Sequence, residues 1–250
     1  MIKNTFLVVL LSIIFGLTQL SAQDESFLGL CLGGALPQGT YAAKDFSNKQ
    51  AGYANTGFLF TFDAAWFPDD YLGIGATVSY GSNNPDKKQY KTDLINDITE
   101  RYPDFDFPED SVYFDYGVWR YLNMHVGPNV TFRAGKFNFD LRALAGLTLA
   151  WAPSQEFEIK FPDGETFSRK VDNKATPTLG YTIGGGIRYA LKSGYVIRFI
   201  TEFTNFKPTM EIREDLIEDL ENGSIPTTSE VDVPIKNIHI GIGIAYNFDI

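Results

Sequence analysis

The stretch IKNIHIGIGIAYNFDI, residues 235–250, alternates strictly between two kinds of residue. Ile238, Ile240, Ile242, Ile244, Tyr246 and Phe248 are large and apolar, while Asn237, His239, Gly241, Gly243, Ala245 and Asn247 are small or polar. A period of two is the signature of a β-strand with two chemically different faces. The same alternation recurs near 27–37, 57–67, 71–81, 118–132, 137–151, 178–191 and 194–206. With the 237–248 segment this makes eight strands, and no stretch past the N-terminal region reads as a long amphipathic helix. The chain is therefore all-β.

The connections alternate in length. Pro68-Asp69-Asp70, Arg133-Ala134-Gly135-Lys136 and Lys192-Ser193 are tight turns with ordinary turn chemistry. The remaining connections, near 38–56, 82–117, 152–177 and 207–236, are long and polar. In an up-and-down barrel, successive connections fall on opposite ends, so all the long loops share one end. Short turns on one side and long loops on the other are the habit of outer-membrane barrels.

The two faces say which medium the barrel sits in. Phe58, Phe60, Phe62 and Trp66 share a face, as do Phe137, Phe139, Leu141 and Leu147. The opposite faces mix glycines with single charges: Asp63, Asp140, Arg142, Arg188, Arg198 and Glu202. An eight-stranded interior is just wide enough to be filled by side chains and cannot hold the aromatic set. A soluble barrel would also expose a glycine-rich face, which weakens strands. Apolar side chains facing lipid and small or charged ones filling a narrow lumen meet both constraints. The expected fold is an eight-stranded antiparallel up-and-down transmembrane β-barrel, closed by pairing the first strand with the last because no edge survives in lipid. A soluble, lipocalin-like barrel with an apolar pocket is the rival reading.

Trp66, Tyr71, Tyr80, Trp119, Trp151, Tyr189, Tyr195, Tyr246 and Phe248 fall near strand ends and are expected to form interfacial girdles. Pro128 falls inside a strand, where it removes a ladder donor and predicts a bulge or register irregularity.

Residues 1–22 have a basic Lys3, an apolar run from Phe6 to Leu17 and the small residues Ser21 and Ala22. This reads as a secretory signal peptide rather than a retained anchor, leaving 23–250 as one barrel domain. The formal net charge of −10 becomes −11 without Lys3, which argues against nucleic acid as a partner. A single cysteine, Cys31, excludes an internal disulfide and lies in a strand context, unlike a lipidated cysteine.

At this point the chain resembles the outer-membrane β-barrel domain family of Gram-negative bacteria, the small, porin-like, eight-stranded proteins. The resemblance is carried by Gly33-Gly34-Ala35-Leu36-Pro37-Gln38-Gly39, by His125-Val126-Gly127-Pro128-Asn129-Val130-Thr131-Phe132 and by Ala245-Tyr246-Asn247-Phe248. It covers essentially the whole mature chain and implies fold and location in the cell envelope rather than an activity. It also implies embedding in outer-membrane lipid as a monomer, and recognition of the C-terminal strand by barrel-assembly machinery. Asp249 and Ile250 follow the usual terminal aromatic here.

Three groups of residues could carry chemistry. His125 and His239 face the lumen, but a metal needs a third or fourth ligand at defined geometry. No such spacing exists, so hydrogen bonding inside the lumen is the stronger reading, with no catalytic residue, cofactor or metal expected. Asp63, Asp140, Arg142, Arg188, Arg198 and Glu202 form either a selectivity filter or a salt-bridged plug, and the plug is the stronger because desolvated charges must pair. The loops 82–117 and 207–236 are rich in Asp and Glu, with short helices expected near 92–101 and 211–221. They read as a solvated, self-repelling acidic surface, with calcium sites or docking of a basic extracellular partner as the alternatives. Their spacing does not fit an EF-hand. The functional expectation is a non-enzymatic scaffold or surface-interaction protein. A small-solute porin is the first alternative and an outer-membrane hydrolase the second.

Overall fold

The computed structural model describes residues 26–248 except 102, 104–111, 161–165, 172–173 and 217–224; the expected signal peptide over 1–22 and the terminal Asp249-Ile250 lie outside the described residues. In chain order the strands are β1 (Ser26–Pro37), β2 (Gly57–Trp66), β3 (Leu72–Asn83), β4 (Val112–Tyr116), β5 (Trp119–Ala134), β6 (Phe137–Trp151) and β7 (Gln155–Lys160). They continue with β8 (Thr166–Val171), β9 (Ala175–Ala190), β10 (Tyr195–Phe206), β11 (Thr209–Leu216), β12 (Ile225–Asp232) and β13 (Ile235–Phe248). One helix, α1 (Lys87–Arg101), follows β3.

Eight strands close a barrel in the order β1-β13-β10-β9-β6-β5-β3-β2, every pair antiparallel. These are the eight alternating segments of the sequence, and β1 closes against β13 from Ser26↔Phe248 to Pro37↔Asn237. Following the pairing from Leu28 through Ala64, Ala76, Val126, Ala145, Tyr181, Asn205 and Lys236 leads back to β1 at Gln38, a shear of ten residues. That stagger sets the strand tilt and leaves an interior that side chains fill.

Pro128 does not produce a bulge. The β5–β6 ladder lapses between Val126↔Ala145 and Asn129↔Arg142 and resumes in the same register. The missing donor is absorbed as two broken rungs, at Gly127 and Pro128.

The three short turns lie at one end of the barrel, and the long connections at the other are more structured than their polarity suggests. The β4-β7-β8 sheet prolongs β5, β6 and β9, and the β11–β12 hairpin prolongs β10 and β13. Lys207-Pro208 and Val233-Pro234 mark where barrel wall gives way to hairpin. Proline cannot donate to a ladder, so it sits at such boundaries. The helix expected near 211–221 is therefore corrected: Thr209–Leu216 is a strand, and 217–221 lies outside the described residues. The helix expected near 92–101 begins earlier, at Lys87. Leu94, Ile98, Val112, Phe157 and Ile159 form a small apolar core between α1 and the β4-β7-β8 sheet.

Candidate functional site: the barrel lumen

Alternation puts every second residue of each barrel strand inside, and the filled lumen is stratified. At the short-turn end, Phe27, Ala65, Phe67, Val196 and Ala245 form an apolar floor. At the loop end, Ala35, Tyr41, Ala54, Trp119, Tyr121, Ala150, Phe206 and Ile235 form an apolar roof. The charged side chains and both histidines lie between them.

The lower polar layer is ionic. Arg142 on β6 donates through Nη1 to Asp63 on β2 at 2.7 Å and through Nε to Glu202 on β10. Arg198 donates to the other Asp63 oxygen at 2.5 Å. Arg188 grips Asp140 with two donors and reaches Thr131 and Asn247, each at 3.1 Å. Phe27 lies between two guanidinium groups, 4.4 Å from Arg188 and 4.6 Å from Arg198. All six charged side chains are 0–4 % exposed. Three arginines face three carboxylates, so the layer is neutral. Buried charges tolerate such a place only when paired and hydrogen-bonded.

The upper polar layer is a chain of hydroxyls and imidazoles. Thr148 donates to Asn123 Oδ1 at 2.8 Å, so its oxygen is free to accept from His125 Nε2 at 3.1 Å. His125 Nδ1 then accepts from Thr182 at 3.0 Å, and Thr182 accepts from Thr204 at 2.9 Å. Thr204 accepts from His239 Nδ1 at 3.4 Å, and His239 Nε2 accepts from the Tyr121 hydroxyl at 2.9 Å. This one direction of donation gives every hydroxyl in the chain a use and fixes both neutral tautomers. His125 carries its proton on Nε2 and His239 on Nδ1.

The structure thus places Asp63, His125, Asp140, Arg142, Arg188, Arg198, Glu202 and His239 inside the barrel, the histidines in one layer and the charges in the other. Among the described residues no group of His, Cys, Asp and Glu is arranged to hold a metal. Sequence reading placed Asn123, Thr182 and Thr204 on the lumen faces without assigning them to the polar network, and it overlooked Tyr121 and Thr148. Their lumen parity on β5, β6, β9 and β10 was the available signal.

Trp119 requires a correction. It is 6 % exposed, and its indole N–H donates to the Gly52 carbonyl at 2.8 Å. On β5 the outward set is Leu122, Met124 and Val126, so Trp119 has inward parity; it supports the roof rather than a girdle. Trp66, Tyr195 and Tyr246 are exposed on the outer face, and Tyr71, Tyr80, Trp151, Tyr189 and Phe248 are half-buried.

The first long loop closes the roof. Tyr41 donates to Asn83 Oδ1 at 3.2 Å, and burial pushes its hydroxyl pKa well above the ordinary tyrosine value. Asp86 caps α1 through the Gln89 N–H at 3.1 Å and pairs with Lys44 at 2.5 Å. The Lys44 bond, then the Gln89 N–H, hold the Asp86 pKa below its ordinary value. Tyr90 gathers Phe46, Tyr53, Phe114 and Tyr116 around its ring at 4.8–5.6 Å.

The outer face carries Leu28, Leu30, Leu32, Phe58, Phe60, Phe62, Ile183, Ile187, Ile242 and Ile244, all exposed. An apolar band wrapping a closed barrel with a polar interior has one compatible solvent, the hydrocarbon of a bilayer. The protein is an integral outer-membrane β-barrel, embedded in lipid through this band.

No protein-family model and no curated protein matches the chain. Solved structures share the barrel at low identity. Neisserial surface protein A is 10 % identical over 91 % of this chain and 100 % of that one, with a TM-score of 0.40. Ail, the attachment invasion locus protein of Yersinia pestis, is 14 % identical over 90 % and 99 %, at 0.39. The outer membrane protease OmpT from Escherichia coli is 12 % identical over 90 % and 95 %, at 0.39. An invasion protein and a protease lie at the same distance, so these likenesses select no activity.

Proposed function

We propose that this barrel is a non-enzymatic, non-conducting membrane scaffold that presents an acidic extracellular surface to a partner. The carrying observation is the lumen, where a neutral layer of paired charges lies between an apolar floor and an apolar roof. A selectivity filter needs charges that water and solute can reach, and these are buried. The layer acts as a plug that braces the wall from inside.

The surface role rests on the loop end. Asp115 of β4 is opposite Glu156 of β7, and Tyr113 is opposite Glu158. Asp45, Asp93, Asp97 and Glu100, with Lys44 and Lys49, line a cleft of about 570 Å³ between the first loop and α1. Such a face suits a basic partner and repels an acidic one. The chain works as a monomer, inserted by barrel-assembly machinery acting on β13, after export by the 1–22 leader. The girdle residues other than Trp119 anchor it at the interfaces.

Purified protein in planar bilayers tests the plug: no conductance above the bare bilayer is expected. Stepwise openings would instead establish the porin reading, and turnover of outer-membrane lipid or peptide would establish a hydrolase. Charge reversal of Asp93, Asp97 and Glu100 should abolish retention of the folded protein on a polylysine surface, and unchanged retention would remove the acidic-surface role.

A further inference from the structure

On β5 the Thr131 N–H donates to Tyr71 on the β3 side at 2.9 Å. Backbone direction alternates along a strand, so Asn129 also faces β3 and Pro128 faces β6. The β6 residue opposite Pro128 is Ala143, at the broken rungs. Proline has no N–H, so the Ala143 carbonyl lacks its ladder donor. That oxygen lies 2.2 Å from where a Cβ on Gly127 would stand. The Gly127 side chain would project inward, so this carbonyl borders a lumen-facing position that carries no side chain.

The adjoining rung pairs Asn129 with Arg142, both side chains inward. It is a non-hydrogen-bonded pair, the type with the closer side chains. Asn129 is 0 % exposed, and neither its Oδ1 nor its Nδ2 has a partner among the described residues. Arg142 Nη2 is likewise buried and unpartnered. The register thus makes neighbours of a carbonyl without its ladder donor, Ala143 O, and three unpartnered side-chain atoms, Asn129 Oδ1, Asn129 Nδ2 and Arg142 Nη2. On the β3 side a Cβ at Gly75 would stand 3.4 Å from Asn129 and 3.5 Å from Leu144, so Leu144 is the apolar neighbour that borders this spot.

We infer that this spot is a binding site for internal water, which carries the β5–β6 hydrogen bonding across Pro128. Water is the guest because it both donates and accepts and needs two to four polar partners. An ion is disfavoured because the three arginines and three carboxylates already cancel. Water accepts from Arg142 Nη2 and Asn129 Nδ2 and donates to the Ala143 carbonyl, so an orphaned carbonyl in the middle of the wall is satisfied from inside.

The test is water–protein cross-relaxation in isotope-labelled, full-length protein folded in detergent micelles. Cross-peaks of opposite sign in the laboratory and rotating frames, the mark of long-lived water, are expected at the Asn129 side-chain amide. Pro128→Val supplies the missing N–H to Ala143 and should weaken them. Absence of water contact at Asn129 in the unaltered protein overturns the inference. So does a direct hydrogen-bond coupling from Asn129 Nδ2 to the Ala143 carbonyl carbon. Both readings come from the parent protein and stand even if the variant fails to fold.

Discussion

Arg188 clasps Asp140 with two near-parallel donors, Nε to Oδ2 at 2.8 Å and Nη2 to Oδ1 at 2.9 Å. The two residues come from neighbouring strands, β9 and β6, where Arg188 is offset by one inward position from the Asp140↔Gly186 pair. Only a planar guanidinium can make this fork while stacking on Phe27. Arg188→Lys keeps the charge and loses both features. We expect a loss of about 2–4 kcal/mol, between the cost of a buried hydrogen bond and that of a broken buried pair, read as a lower urea midpoint in detergent. An unchanged midpoint would show that charge alone matters there.

Arg142 links Asp63 and Glu202, which otherwise belong to different strands. Arg142→Met should cost about 3–5 kcal/mol because Glu202 is left buried and alone, while Asp63 keeps Arg198. Adding Glu202→Leu removes the orphaned charge. The double variant is expected to be more stable than the sum of the single losses by about 1–3 kcal/mol. Strict additivity in a double-mutant cycle would mean that the two do not interact.

Asp86 fixes the junction of the first loop and α1. Its folded-state pKa is lowered, chiefly by the Lys44 hydrogen bond. A lowered carboxylate stabilises the folded form above its unfolded value of about 3.9, and that contribution is lost as pH falls through the lower folded value. Amide exchange at Gln89 and Tyr90, taken relative to the intrinsic rate at each pH, should therefore rise below about pH 4. Asp86→Ala should raise it at neutral pH, the loss of a helix cap being about 1 kcal/mol. Asp86→Asn should keep the cap and remove the acid sensitivity.

The Tyr121 ring lies over Gly81, and a Cβ there would sit 2.1 Å from the ring and 2.2 Å from its hydroxyl. Gly81→Ala must displace the ring and break its bond to His239, costing about 1–3 kcal/mol. Gly34 provides the contrast: a Cβ there meets its nearest atoms at 3.7 Å. Gly34→Ala should stay within about 0.5 kcal/mol of the parent. Equal effects would contradict the position of Tyr121 in the roof.

Lipid exposure makes a depth-dependent prediction. Ile242 is 63 % exposed mid-strand, and Leu72 is 56 % exposed at the short-turn end. Ile242→Arg should cost about 2–4 kcal/mol in vesicles and Leu72→Arg about 0–1 kcal/mol. A soluble barrel would accept both charges equally on its outer surface.

Much of this fold could be read directly because its rules are local. The Ile240, Ile242 and Ile244 face, the small and polar His239, Gly241 and Gly243 face, and the sorted loop lengths are properties of neighbouring residues. Parity alone directed Asp63, Arg142 and His239 inward. Parity would also have turned Trp119 inward, but its position near a strand end drew it to the interface instead. The strands inside the long connections escaped notice because β11 and β12 are rich in Glu, Asp and Thr and carry no strong alternation. They exist as continuations of β10 and β13, a fact of pairing rather than of composition.

The amino-acid order by itself determined a closed barrel, its strands, its faces and its medium, since each follows from a period of two and from the need to satisfy every backbone group in lipid. The tertiary structure alone decided who meets whom. Arg142 finds Asp63 at a separation of 79 residues and Glu202 at 60, because a shear of ten brings β2, β6 and β10 to one height across the lumen. Changing the stagger would leave each face unaltered and scramble every ion pair, so the paired charge layer is a property of closure rather than of any strand.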